Sequence, residues 1–139
     1  MGAWGAGTFQ NDTALEWLAQ LEDSSDDSLL RTAIEPAAAI TRAGELDSGA
    51  AAIALAGAEV VAAAKGQPGA DLPEGLSGWL EQFGGAVGDD LPIPARQAVE
   101  RIAASSELKD LWDEAGDNDW NEVVGDLRAR LATIAADLP

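Results

Sequence analysis

The chain has 139 residues, enough for one hydrophobic core, so a single domain spanning 1–139 is expected, and its 47% hydrophobic content is too high for intrinsic disorder. Twenty-five acidic side chains against 8 basic ones give a formal charge of −17, a field that repels nucleic-acid backbones. Cys, His and Tyr are absent, which excludes disulfides, thiolate and histidine metal sites, and both Ser-His-Asp and Cys-His catalytic arrangements.

In chain order, the opening WGAGTFQNDTALEWLAQLE places Gly5 and Gly7 between Trp4 and Phe9. Glycine permits close backbone approach, so this stretch reads as an arm anchored on the helical body by Trp4 and Phe9. It lacks a basic region and a continuous apolar core, so no export signal is expected and the expected location is cytoplasmic. Its two glycines come without the lysine of a phosphate loop, so no nucleotide or other cofactor is expected. The first helix is predicted from Asn11 or Asp12, with either side chain as cap and Thr13 to Glu16 as a competing capping box. Ala14, Leu15, Trp17, Leu18 and Leu21 are its predicted apolar face.

The polar run Glu22 to Asp27 imitates the start of a calcium loop at Asp23, Ser25 and Asp27, but Ser28 stands where that loop needs glycine. Capping of a second helix is the expected role. That helix is predicted over about 27–42, with Pro36 dividing it and Gly44 ending it.

Ala50 to Gly66, AAAIALAGAEVVAAAKG, carries Glu59 and Lys65 as its only charges. A helix that is apolar on nearly every side must lie among other helices, and one of this length spans roughly 24 Å. The run is too short and too poorly flanked to cross a bilayer. Asp47 or Ser48 is the predicted cap. Glu59 is a lone carboxylate in an apolar helix, so its charge must be compensated or neutralised. The predicted donors are the amides of the glycine-bearing arm and the indole of Trp4 or Trp17, making Glu59 the fastener of residues 3–12.

Beyond Gly66 and Pro68, Pro73 is the predicted first residue of a fourth helix bearing Leu76, Trp79, Leu80 and Phe83. An extended connector over 89–94 then delivers Pro94 as the start of a fifth, with Ala95, Ala98, Val99, Ile102 and Ala103 facing inward. Ser105 is the predicted cap of a short helix with Leu108, Leu111 and Trp112. Asp117 or Asn118 caps the last, whose apolar face is Trp120, Val123, Val124, Leu127, Leu131, Ile134 and Leu138. The predicted class is all-α, a compact bundle of five to seven helices around a central alanine-rich helix.

Three blocks of residues carry a family resemblance: the opening Trp4-Gly5-x-Gly7-x-Phe9-x-Asn11-Asp12-x-Ala14-x-x-Trp17, the core around Glu59, and Ser106 to Trp112 with Trp120, Asp126-Leu127 and Arg130-Leu131. Together they resemble the bacterial "domain of unknown function 4259" family over nearly the whole chain. Gln10 stands where an acidic residue is usual, and Glu16 where Asp is common. The resemblance implies no activity. Carboxylates remain the available chemistry: Asp12, Glu16 and Glu59 would form a hard-metal or acid/base site if the first helix brings them together. Three function classes stay open. They are a protein-interaction or regulatory module facing a basic protein partner, a small-molecule binder, and a carboxylate-dependent enzyme. The first predicts an exposed tryptophan-containing patch with an acidic rim.

Overall fold

The computed structural model describes residues 7–39, 47–69, 72–104, 106–116 and 119–136. They form seven α-helices and no strand: α1 (Asp12–Glu22), α2 (Ser28–Ala39), α3 (Ser48–Ala64), α4 (Glu74–Phe83), α5 (Pro92–Ala104), α6 (Glu107–Ala115) and α7 (Asp119–Ala136). The all-α class and the central position of the alanine-rich helix are as the sequence predicts. Helix α3 packs against each of the other six helices. Its residues from Ala54 to Ala62 are buried without interruption, because alanine and glycine let neighbours approach from all sides. The broadest packing is among α2, α3, α5 and α7; α1, α4 and α6 close the periphery.

Gly57 marks the closest approach between α2 and α3. A Cβ built there would lie 3.2 Å from the Ala33 Cβ and 3.4 Å from the Ile34 Cγ1. Gly57→Leu is therefore expected to lose about 1 to 3 kcal/mol through overpacking. For Gly57→Ala, the gain of up to about 1 kcal/mol in helix propensity offsets the tight contact. Urea titration checks both, and a Leu variant as stable as the parent would show that α2 and α3 can separate at no cost.

Several local expectations need correction. Pro36 does not divide α2, which runs through it as far as Ala39. Thr32, whose carbonyl loses its partner, and Pro36 itself are both exposed, while Leu30, Ile34 and Ala37 stay buried on the opposite face. Leu15 is 37% exposed, since it stands about 100° round the helix from the Ala14, Trp17, Leu18 and Leu21 stripe. The connector before α5 is not extended throughout. Residues 89–91 form a turn in which the Leu91 amide donates to the Gly88 carbonyl at 3.2 Å, and α5 begins at Pro92 with Pro94 inside its first turn, where missing N–H groups cost no intrahelical bond; a 3₁₀ turn, Gly84–Ala86, precedes this stretch. Leu91 and Pro92 are buried, which draws the helix start inward.

The caps follow side-chain chemistry. Asn11 Oδ1 accepts from the Ala14 amide at 2.8 Å, and Asp47 Oδ1 from the Ala50 amide at 2.7 Å. Pro73 precedes α4 as its cap residue rather than opening it. Ser106 caps α6 by accepting from the Lys109 amide at 3.0 Å; Ser105, like Asp117, Asn118, Leu138, Arg42 and Gly44, lies outside the described residues. Gly66 and Gly116 take positive φ, 92° and 72°, to end α3 and α6. No helix among the described residues is long and apolar enough to cross a membrane.

Candidate functional site

The polar centre of the fold is Glu59, 4% exposed on the buried middle of α3. Its Oε1 accepts from Arg130 Nη1 of α7 at 2.6 Å, and its Oε2 from the Thr8 hydroxyl at 3.0 Å. Arg130 Nη1 also donates to the Gln67 carbonyl at 3.0 Å, and its Nε to Asp126 Oδ2 at 2.8 Å, one turn earlier on α7. Burial favours the neutral guanidinium, but the hydrogen bonds and charges of Glu59 and then Asp126 outweigh it, so Arg130 titrates above its ordinary value. Gly69 closes the node from the loop after α3. A Cβ there would stand 2.6 Å from Glu59 Oε1, so a larger residue at this position would have to displace the carboxylate or the loop.

The expected donors to Glu59 are corrected only in part, since Trp4 and the amides of residues 3–6 lie outside the described residues. Among the described residues, its partners are a hydroxyl and a guanidinium; neither an arm amide nor the Trp17 indole fills that role. The signal for Arg130 lay in α7 itself. Leu127, Leu131 and Ile134 form the buried stripe, and position 130 falls inside it by three- and four-residue spacing. A basic residue within an apolar stripe is the complement of an acidic residue within an apolar helix.

The other candidate residues fall into two groups. Phe9 (7% exposed) and Trp17 (5%) are buried in the core, and Asn11 caps α1. Asp12 and Glu16 are exposed on α1, whereas Glu59 is buried. The three therefore do not assemble a metal or acid/base site, and among the described residues no group of three acidic side chains is placed to hold a metal ion. Trp4 lies outside the described residues.

A second, more exposed node joins α2 to the 3₁₀ turn and its sequel. Arg31 donates to Asp90 Oδ2 at 2.8 Å and to Asp27 Oδ2 at 3.1 Å, and Asp27 Oδ2 also accepts from the Gly88 amide at 2.9 Å. The Arg31 pair holds Asp90 below the usual carboxylate range. Lys65, at the end of α3, donates to the Val87 carbonyl at 2.7 Å and to Asp89 at 2.6 Å. In the preceding polar turn, Asp26 accepts from the Ser28 amide at 3.1 Å and from its hydroxyl, while Ser24 accepts the Trp79 indole N–H on its carbonyl at 3.0 Å. These residues start α2 and seat α4.

A small all-helical fold with a buried acid–base pair, Glu59 with Arg130, and an excess of exposed acidic side chains among the described residues is the class these features define. Residues 2–123 match the family described as "Domain of unknown function (DUF4259)", and the chain belongs to that family. No curated protein and no solved structure matches the chain. The matched segment includes Thr8 and Glu59 and ends within α7, before Asp126-Leu127 and Arg130-Leu131.

Proposed function

We propose that the chain is a protein-interaction module, regulatory rather than catalytic, whose acidic surface receives a basic protein partner. The carrying observation is how the cations are used. Arg31, Lys65, Arg96, Lys109 and Arg130 are each engaged in an ion pair with an acidic residue of the same chain, so the excess acid faces outward. Along α6 and the first half of α7, Glu107, Asp110, Asp113, Glu114, Asp119, Glu122 and Asp126 are all exposed. Low-dielectric protein behind such a row concentrates its field into solvent and speeds encounter with an opposite charge.

The contact is not built on tryptophan among the described residues, because Trp17, Trp79, Trp112 and Trp120 are all buried. Among the described residues, the exposed large apolar side chains are Leu15 and Ile93. Charge steering is accordingly the main contribution, and the association rate is its readout. For the partner recovered by affinity capture from the native host, the rate is expected to fall steeply as salt rises. Replacing Glu107, Asp110 and Glu114 together by Lys is expected to slow it by about tenfold or more at low ionic strength. A salt-independent rate, or a partner with an acidic binding face, would reject the reading.

A further inference from the structure

Glu59 is shared by two parts of the chain that are remote in sequence, Thr8 on one carboxylate oxygen and Arg130 on the other. Among the described residues, the other hydrogen bonds within the segment from Gly7 to Asn11 are local. The Gln10 amide donates to the Gly7 carbonyl at 3.0 Å, the Gly7 amide to Gln10 Oε1 at 2.8 Å, and Asn11 Nδ2 to the Thr8 carbonyl at 3.3 Å. Phe9 is its buried side chain.

We infer that this segment is a strap whose hold on α3 depends on the docking of α7, with the Glu59 carboxylate as the coupling element. A carboxylate this deeply buried keeps its orientation because Arg130 compensates its charge. Without the guanidinium the carboxylate must take up water or a proton, and the oxygen that Thr8 donates to becomes a weaker and less firmly oriented acceptor. Lifting the second half of α7 therefore loosens the strap and uncovers Phe9, so a partner that engages α7 changes the surface at the opposite end of the chain. Coupling of this kind is reciprocal: weakening the strap must also loosen α7. The inference stands independently of the charge of any partner.

Residue-resolved amide exchange on the full chain tests it. Arg130→Met is compared with Arg31→Met, which removes a guanidinium whose acidic partners are Asp27 and Asp90 and not Glu59. Exchange at the Gln10 amide is expected to be at least about fivefold faster in the Arg130 variant than in the Arg31 control. Thr8→Val, which removes one hydroxyl and keeps the shape, is expected to speed exchange over residues 131–135 relative to the Val60 amide in the core. Should Arg130→Met not fold, Arg130→Lys serves in its place. Unchanged exchange at either end, Gln10 in the Arg130 variant or 131–135 in Thr8→Val, overturns the coupling.

Discussion

A chain ending at residue 123, where the family match ends, is expected not to fold as a cooperative unit. The truncation removes Val124, Leu127, Leu131 and Ile134, which are 2%, 0%, 0% and 7% exposed and belong to the same buried cluster as α3 and α5. Loss of a single buried Leu or Ile side chain typically costs about 2 to 5 kcal/mol. Three such losses alone reach the whole stability of an ordinary domain, about 5 to 15 kcal/mol. The cut also opens the faces of α5 and α3 that α7 covers and leaves Glu59 without its cation. Far-ultraviolet circular dichroism with urea titration reads the outcome. A truncated chain that melts cooperatively with the helicity of residues 1–123 intact would show that α7 is an appendage rather than part of the core.

Arg130→Met is expected to destabilise the chain by about 2 to 4 kcal/mol, somewhat below the usual penalty for breaking a fully buried pair because the arginine keeps contact with solvent. Its side chain is 13% exposed against 6% for Glu59. Methionine preserves much of the stem's packing, so the loss reports the stranded carboxylate. Glu59→Gln in the same chain removes the need for a cation. The double variant is therefore expected to be more stable than Arg130→Met alone, by about 1 to 3 kcal/mol. Denaturant midpoints at neutral pH decide between this and simple packing loss. An Arg130→Met chain within about 0.5 kcal/mol of the parent, or additive losses in the double variant, would remove the pair from the account of stability.

Most of the fold is local in origin and was legible for that reason. The alanine run of α3, the caps at Asn11 and Asp47, and the periodic faces of α4, α5 and α7 each express themselves within a few turns of one helix. Leu15 misled because it lies beside the four-residue apolar stripe of Ala14, Trp17, Leu18 and Leu21, and nothing in its spacing says how wide a face α1 buries. Pro36 misled because the penalty for proline in a helix depends on whether the orphaned carbonyl reaches water, and exposure is a property of the packed molecule.

By itself, then, the sequence determined that Glu59 had to be compensated, because an isolated charge in an apolar helix is untenable wherever that helix lies. Which group compensates it was decided by tertiary structure. Arg130 is 71 residues away and Thr8 is 51 residues away in the other direction, and their meeting depends on how α7 and the N-terminal segment cross α3. The same holds for the separation of Asp12 and Glu16 from Glu59. Helical spacing places the first two on one face of α1, but the rotation of α1 against α3 is set by burying Ala14, Trp17, Leu18 and Leu21, which turns that acidic face to solvent.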